Sequence, residues 1–285
     1  MSSATEQAVL FQPEWLRALG PVPRLPEGAR VVFVGCGTSF HAAQTGGAAL
    51  QALEAVAVPP DADIMVCISH EGTTPVTIEA AKAFNGAVWV LTGSGSSPLA
   101  ELADEVIVCT PEIEKSWCHT ASYTCAVAAI AAMKGEDTGW IADAVETALT
   151  AQMEPPARDR ILVVGAGQEW PTAQEAVLKL REGAWAAAEA HHTEQLLHGH
   201  LAAVDETFCA YVLDGEGRVG ERARGAAAAL GEIGVDVTVL PTRHPVVDIV
   251  PFHLLTLALA TDRGIVPDKI HREDERWAQA RNAYE

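Results

Sequence analysis

Glycine and hydroxyl residues follow a short apolar segment near the N-terminus, in an arrangement suited to binding an anion. Segment 31–34 predicts a buried strand, and directly after it come Gly35, Gly37, Thr38 and Ser39. Because this Gly-x-Gly opens a predicted helix, backbone N–H groups at the helix N-terminus would face a ligand. We therefore interpret this turn as a candidate binding loop. A tight strand-to-helix turn without a ligand is the alternative.

A second hydroxyl-rich loop follows the next predicted strand, 64–68, and leads into a helix that starts near Pro75. A third loop, with the sequence GSGSSP at 93–98, follows the strand after that. Parallel strands end at one edge of a sheet, so all three loops would meet at one rim. The candidate binding residues of the second loop are Ser69, His70, Gly72, Thr73 and Thr74. A helix cap at Thr73 or Thr74 is the alternative, and it is compatible with ligand binding.

Carboxylates and histidines are concentrated between residues 182 and 200. Taken alone, Glu182 forms an i, i+3 pair with Lys179, which favours an ordinary solvated helix face. Residues of metal-ligand type lie just beyond it, namely Glu189, His191, His192, Glu194, His198 and His200. His191, Glu194 and His198 would share one face if the helix continued that far, which keeps a zinc site open as an alternative. The favoured interpretation is no metal.

The elements that must position these residues alternate between β-branched and alanine-rich segments, which is typical of parallel sheets covered by helices. The predicted strands are 31–34, 64–68, 88–91, 106–109, 161–164, 209–213 and 235–240. The predicted helices are 41–53, 77–84, 123–133, 172–188, 222–230 and 248–262, with one further helix through Trp15 and Leu19. The fold class is therefore α/β.

An internal repeat indicates two related units, because segment 31–50 realigns on segment 161–180 at an offset of 130 residues. The identical pairs are Gly35/Gly165, Gly37/Gly167, Ala43/Ala173, Gln44/Gln174 and Leu50/Leu180. Pro155 and Pro156 interrupt any helix between the units. We predict domains at 1–154, including the N-terminal helix, and 155–285, including the C-terminal tail. Glu169 replaces Ser39 in the second unit, so one ligand site per chain is expected.

Composition excludes several classes of protein. The 285 residues carry a net charge of -19, which would repel a nucleic-acid backbone. The sequence lacks a run of about 20 uninterrupted apolar residues and has no signal-peptide pattern, so no membrane partner and a cytoplasmic location are expected. The six cysteines form no CxxC pair and are interpreted as reduced core thiols.

The motifs together resemble the tandem sugar isomerase (SIS) family, in the form of the isomerase module of glucosamine-6-phosphate synthases. The matching segments are GCGTS at 35–39, SHEGTTPVT at 69–77, KSWCHTASYT at 115–124 and EAVLKLREGAWAAAEAHHTEQLLHGH at 175–200. The resemblance extends from about residue 31 to the C-terminus. It implies two tandem SIS units, each a flavodoxin-like or Rossmann-like parallel sheet flanked by helices.

The resemblance also implies a function: isomerase, deaminase or deglycase of an amino sugar phosphate or fructosamine phosphate, with no cofactor. Glu182 would move a proton between C1 and C2, and His198 would open the sugar ring. Ser39, Ser69, His70 and Thr74 would contact the sugar and its phosphate. The family further implies a homodimer, in which each His198 serves the site of the neighbouring subunit.

Several residues depart from the family pattern. Glu71 stands where phosphate-binding members carry a hydroxyl, and its charge would repel a phosphate. His70 would compensate as an imidazolium, or act as a neutral donor. Lys269 is the only lysine of the tail, and we include it among the candidate binding residues. No glutaminase module precedes the first unit in this sequence, so amine removal or plain isomerisation is expected rather than amine addition.

Two other functions are kept open. A non-catalytic sugar-phosphate sensor would need the anion loops alone, whereas this chain also carries Glu182 and His198. A dinucleotide-binding oxidoreductase would need a third glycine, but Phe40 and Trp170 occupy those positions in the two units.

Overall fold

The structure is a computed structural model that describes residues 2–283, in which two parallel sheets follow one another along the chain. The strands of the first sheet are β1 (Val31–Gly35), β2 (Ala49–Gln51), β3 (Ile64–Ile68), β4 (Ala87–Thr92) and β5 (Glu105–Val108). The helices of this part are α1 (Ala4–Arg17), α2 (Thr38–Gly46), α3 (Ala52–Ala57), α4 (Pro75–Ala83), α5 (Ala121–Met133) and α6 (Ile141–Ala148).

The second sheet has four strands: β6 (Arg160–Gly165), β7 (Ala187–His192), β8 (Phe208–Asp214) and β9 (Asp236–Pro241). Its helices are α7 (Glu169–Ala184), α8 (Thr193–Leu197), α9 (Gly217–Glu232), α10 (Pro245–Asp248), α11 (Val250–Asp262) and α12 (Glu275–Arg281). The predicted boundary at residue 155 falls in the connection between α6 and β6.

The two sheets share one strand order. It is β2-β1-β3-β4-β5 in the first and β7-β6-β8-β9 in the second, which is the flavodoxin-like order with the last strand absent from the second sheet. Both units are thus doubly wound α/β units in tandem, as the sequence predicts. In such sheets ligands bind where the strand order reverses, at the carboxyl ends of β1 and β3.

Burial explains why the strands form where they do. All five residues of β3, with the sequence IMVCI, are buried, as expected for a central parallel strand covered on both faces. On β1, Val32 and Val34 pack towards α3 and α4, whereas Phe33 belongs to the core on the other face. All six cysteines are free, and five of them are buried.

The two units share one apolar core. Helix α5 is apolar on every side and has twelve of its thirteen residues buried. It contacts α2, and α2 also packs on α7 of the second unit. Phe33 and Ile130 lie in the same cluster as Ile161 and Leu255, so the core is continuous across the units. The interface between the two units is therefore formed by α2, α5 and α7.

The seven predicted strands are confirmed, but two predicted helices extend too far. Segment 41–53 is broken, since α2 ends at Gly46 and β2 and α3 follow. Segment 172–188 ends as a helix at Ala184, because Trp185 takes a left-handed conformation with φ 51° and the chain then enters β7. Both missed strands are alanine-containing edge strands without a β-branched residue, so their composition favours helix.

One apolar stretch, 245–262, is long enough by length and composition to cross a bilayer. Half of it is buried inside the protein, and α11 within it packs against α7. Phe252 and Leu255 are completely buried in the shared core. This stretch therefore contributes a core helix, α11, to the second unit.

Candidate active site

The carboxyl ends of β1 and β3 carry the first two loops of the rim. Gly37 precedes α2 with φ 54°, a conformation that favours glycine, and the helix starts at Thr38. In loop 69–74 the Gly72 N–H donates to Ser69 Oγ at 3.2 Å, and Thr74 Oγ1 lies 3.2 Å from the same oxygen. The loop thus presents hydroxyls in a fixed arrangement.

The third loop supports the second. The backbone N–H of Gly93 donates to the His70 carbonyl at 2.8 Å, and Leu99 N–H donates to the Gly72 carbonyl at 3.1 Å. A Cβ atom on Gly72 would lie 2.0 Å from Ser97 Oγ, so only glycine fits there. The contact between loops 69–74 and 93–98 therefore holds the backbone of the predicted binding loop in place.

Glu71 remains part of this loop. It is half-buried, and one of its carboxylate oxygens lies 3.5 Å from the Thr73 hydroxyl. Within residues 2–283 no basic side chain forms an ion pair with Glu71. The charge conflict between Glu71 and a phosphate is thus uncompensated in the loop itself.

His70 is a neutral hydrogen-bond donor rather than a cation. Its Nε2 accepts the backbone N–H of Glu114 at 2.8 Å, so the neutral ring carries its proton on Nδ1. Burial, followed by the charge of the neighbouring His119, lowers the pKa of His70 to about 4. The alternative of a compensating imidazolium at position 70 is therefore wrong at neutral pH.

A small cavity of about 20 Å³ lies behind this rim. Its polar lining comprises Thr38, Ser39, His70, His119, Ser122 and Tyr123. Three of its buried polar atoms have no partner among residues 2–283: His70 Nδ1, His119 Nε2 and the Tyr123 hydroxyl. Buried polar groups are nearly always hydrogen-bonded, and a cavity of this size has room for about one water, so this lining is suited to a buried water.

A cluster of charged side chains on α7 lies beside the first unit. Glu175 and Lys179 have no exposed side-chain surface, and the side chain of Glu182 is 22% exposed. The Lys179 ammonium donates to Glu182 Oε2 at 2.5 Å and lies 3.4 Å from Glu175 Oε1. The alternative of a solvated surface pair is therefore wrong, because these residues face the boundary between the units.

Two residues of α2 complete the cluster from the first unit. The Thr38 hydroxyl donates to Glu175 Oε1 at 3.1 Å and accepts from the Lys179 ammonium at 3.1 Å. His41 Nδ1 lies 2.7 Å from Glu175 Oε2 and donates its proton to that carboxylate. The cluster is thus assembled from both units.

The environment separates the protonation behaviour of the two carboxylates. Burial would raise the pKa of Glu175, but Lys179 and His41 outweigh it and lower that pKa below its ordinary value. For Glu182 burial prevails over the attraction of Lys179, and the pKa is raised. Burial opposes the charge of Lys179, yet Glu182 and Glu175 keep the Lys179 pKa above its usual range. Of these two carboxyl groups, Glu182 is therefore the one that takes up a proton more readily.

His198 is not part of this cluster in the same chain. Its side chain is 74% exposed, and its charged neighbour is Glu194, at 3.3 Å. Glu194 is in turn held by Arg222 at 2.5 Å. Within residues 2–283 no hydrogen bond or ion pair joins His198 to Glu182.

The zinc alternative depends on one helical face shared by three metal-ligand residues, and the prediction of that face is wrong. Helix α7 ends at Ala184, and residues 187–192 form β7, so His191, Glu194 and His198 do not share a helical face. In the part of the chain that the structure describes, no three His, Cys, Asp or Glu side chains are grouped to hold a metal ion.

Lys269 lies in a tail that is tied to the first unit. The Asp268 carboxylate accepts the backbone N–H groups of Ala4 and Thr5 at 2.9 and 2.8 Å, at the start of α1. The exposed ammonium of Lys269 pairs with Glu273. A role of Lys269 in ligand binding stays a prediction.

Sequence reasoning missed several residues of the site. Glu175 and His41 were not candidates, and neither was Glu114, whose buried carboxylate accepts three hydrogen bonds at the start of α5. One signal was available for α7. Glu175, Lys179 and Glu182 recur at i, i+4 and i+7 beside Ala176 and Leu180, which is the spacing of a buried helix face.

The fold and the candidate site resemble those of two-unit SIS proteins. No family model matches the chain. The chain is 26% identical to the isomerizing glutamine-fructose-6-phosphate aminotransferase of Methanothermobacter thermautotrophicus, over 90% of this chain and 52% of that protein. A second such aminotransferase, from Symbiobacterium thermophilum, is also 26% identical, over 84% of the chain and 50% of the relative. The chain spans about half the length of these curated relatives.

Solved structures share the fold over nearly the whole chain. Glucosamine-6-phosphate deaminase of Thermotoga maritima superposes with a TM-score of 0.78 at 20% identity, over 94% of this chain and 97% of that one. Tagatose-6-phosphate ketose/aldose isomerase of Escherichia coli gives a TM-score of 0.77 at 16% identity, over 94% and 95%. The resemblance to tandem SIS proteins is therefore confirmed, and the likeness to these two structures concerns the fold.

Proposed function

We propose that this protein acts on an amino sugar phosphate or fructosamine phosphate and transfers a proton between C1 and C2, as an isomerase, deaminase or deglycase. The observation that carries the proposal is Glu182, a carboxyl group of raised pKa held by the fully buried Lys179 beside the binding rim. The activities of the relatives and of the similar structures support the same class of substrate.

Glu182 fits the role of the base. Its carboxylate removes the proton from the carbon next to the carbonyl and becomes a carboxylic acid. The electron pair of the broken C–H bond forms the C1–C2 double bond, and the π pair of the carbonyl moves to its oxygen, which gives an enediolate. The same proton is then returned to the neighbouring carbon, and a hydroxyl proton moves between the oxygens on C1 and C2. A raised pKa brings the carboxyl group closer to the working pH, which is what a general base of this kind needs.

Ring opening is assigned to His198 of a second copy of this chain. The imidazole would take the proton of the anomeric hydroxyl and deliver it to the ring oxygen as the bond between C1 and the ring oxygen breaks. His198 is exposed, and within residues 2–283 no hydrogen bond or ion pair joins it to Glu182, which supports a role for His198 across a dimer interface. The working unit proposed is therefore a homodimer, for which a twofold arrangement is the commonest symmetry.

The rim is proposed to hold the phosphate end of the sugar. Ser39, Ser69 and Thr74 offer hydroxyl donors, and Gly37 with Thr38 brings the start of α2 to the same place. Glu71 lies in the same loop, and its uncompensated charge is expected to weaken the binding of a phosphate there. A cytoplasmic location is the corresponding expectation for a protein that acts on metabolic sugar phosphates.

A sugar-phosphate sensor is the second candidate, since ligand loops without turnover would satisfy it. The buried Glu175–Lys179–Glu182 cluster argues against it, because three charged groups are costly to bury for binding at the rim alone. The experiment is incubation with glucosamine 6-phosphate, fructosamine 6-phosphate and fructose 6-phosphate, followed by NMR of the sugars and by ammonia release. Turnover of at least one compound is expected. Thermal stabilisation without turnover would favour the sensor.

A further inference from the structure

The His70 ring is enclosed by three segments of the first unit. Its Nε2 accepts the backbone N–H of Glu114 at 2.8 Å. The His119 ring packs against it edge to face, with the ring centroids 5.2 Å apart. A Cβ atom on Gly93 would lie 2.6 Å from the ring carbon Cε1, so the ring packs directly on the backbone there. The ring is therefore held inside the protein, although His70 belongs to the predicted binding loop.

The remaining polar atom of the ring, Nδ1, does not reach a space large enough for a sugar. It is buried and has no hydrogen-bond partner within residues 2–283. The cavity that His70 lines measures about 20 Å³, which is room for about one water molecule. The ring is thus placed to support the loop rather than to contact a sugar phosphate.

The Glu114 carboxylate fixes the backbone that holds this ring. It is buried, and its Oε1 accepts the Thr120 N–H at 2.8 Å and the Thr120 hydroxyl at 3.1 Å. Its Oε2 accepts the Ser122 N–H at 2.9 Å, so the carboxylate joins residue 114 to the start of α5. An amide would not fit in its place, because its NH₂ group would face one of these backbone N–H groups.

The backbone of the same loop is supported by a different segment. The His70 carbonyl accepts the Gly93 N–H at 2.8 Å and the Thr92 hydroxyl at 3.1 Å. These two bonds connect the loop with the end of β4, whereas the ring bond connects it with the segment that precedes α5. The bond between Glu114 and the His70 ring is therefore a separate support of loop 69–74.

We propose that Glu114 and His70 are positioning residues for the binding loop. The Glu114 carboxylate fixes the N–H that holds the His70 ring, and the ring in turn holds the hydroxyls of Ser69 and Thr74 in place for a ligand. This inference rests on the proposed function for its effect on the substrate. The link between Glu114 and His70 exists in the folded protein without substrate, so the two can be tested separately.

The first test is ¹⁵N NMR of the histidine rings in the full chain at pH 7. The His70 signals are identified by their absence in His70→Gln. In the wild type His70 should carry its proton on Nδ1, because Nε2 accepts a hydrogen bond. In Glu114→Gln this N–H is displaced, and the His70 signals should shift towards the average of the two tautomers.

Glu112→Gln is the matched control, since it is the same change at an exposed carboxylate two residues earlier. Its His70 signals should be those of the wild type. Unchanged His70 signals in Glu114→Gln would overturn the proposal. A wild-type His70 ring protonated on Nε2 would overturn it as well, and this result needs no variant that folds.

The second test measures KM and kcat with glucosamine 6-phosphate. His70→Gln and Glu114→Gln should each raise KM about tenfold and leave kcat within about twofold, because the proposed base, Glu182, is unchanged. The double variant should be no weaker than either single variant, since both changes break the same connection. Additive increases in KM, or a loss of kcat at unchanged KM, would contradict the positioning role. Absence of turnover in the wild type would count against the proposed function, while the ring spectra would still decide the link between Glu114 and His70.

Discussion

The Thr38 hydroxyl of the first unit donates a hydrogen bond of 3.1 Å to the Glu175 carboxylate of the second. The two residues are 137 positions apart in the chain. Because Glu175 is fully buried, this contact is made in the interior, where α2 packs on α7. The candidate active site is therefore a product of the packing between the two units rather than of either unit alone.

The buried ammonium of Lys179 should be essential for stability. Lys179→Met leaves Glu175 buried without its cation, and we expect the free energy of unfolding to fall by about 3–5 kcal/mol. Denaturant unfolding checks this value. The double variant Glu175→Gln/Lys179→Met should recover part of the loss, whereas Lys115→Met, at an exposed lysine, should change stability by less than about 0.5 kcal/mol. Equal effects at Lys179 and Lys115 would contradict the buried cluster.

Acid should destabilise the protein through its buried histidines. Burial lowers the pKa values of His70 and His119 to about 4, and that of His253 to about 3. Since the ordinary histidine pKa is about 6.5, these histidines take up protons below that pH in the unfolded chain, whereas in the folded chain they stay neutral until the pH is much lower. Stability is thus fully present above about pH 6.5 and falls as the pH drops towards 4.

The measurement is the melting temperature between pH 8 and pH 4. The melting temperature of His119→Gln should fall less over this range than that of the wild type, because the variant lacks one histidine that is neutral in the folded chain and protonated in the unfolded chain. His198→Gln, at an exposed histidine, should follow the wild-type curve. A wild-type melting temperature that stays constant down to pH 4 would show that these imidazoles are not buried in the neutral form.

Glu71 should weaken the binding of phosphorylated sugars. Glu71→Ser removes an uncompensated carboxylate from loop 69–74, and we expect affinity for fructose 6-phosphate to rise about tenfold, as measured by calorimetry. Glu101→Ser, at an exposed site after the third loop, is the control. Weaker binding in Glu71→Ser would mean that Glu71 contacts an amine or hydroxyl group of the ligand.

The fold could be predicted from the sequence because its central strands are β-branched and completely buried. Segment 64–68 is an example, since a short run of apolar residues between turn signals is typical of a buried strand. Strand β7 could not be predicted in the same way. Its sequence, AAEAHH, favours helix, and it is a strand because it pairs in parallel with β6 after the left-handed turn at Trp185. Tertiary pairing overrides composition there.

The site was predicted only in its loops and in Glu182. Charged residues on a helix are usually solvated, so the residue types of Glu175 and Lys179 argue against burial, although their spacing places them on one helix face. Their burial depends on Thr38 and His41, which lie more than 130 residues earlier in the chain. Contacts over such separations follow from the packing of the units, which residue types alone do not determine.

Subunit exchange tests the proposed homodimer. Glu182→Gln and His198→Ala are each expected to be inactive, and mixing them allows heterodimers to form. If each site takes Glu182 from one chain and His198 from the other, both lesions fall in one site and the other site is intact. Activity should return to at most about half of the wild-type value. No recovery despite demonstrated exchange, or a fully active monomer by light scattering, would contradict the shared site.

The most direct test of the central claim is the turnover of Glu182→Gln, measured with the substrate that the wild type converts. The amide keeps the size of the side chain but cannot take a proton from carbon. We predict a loss of at least about 10²-fold in kcat, while the thermal stabilisation by the sugar phosphate remains at the wild-type level. Near-normal turnover in Glu182→Gln would contradict the assignment of the C1–C2 proton transfer to this residue.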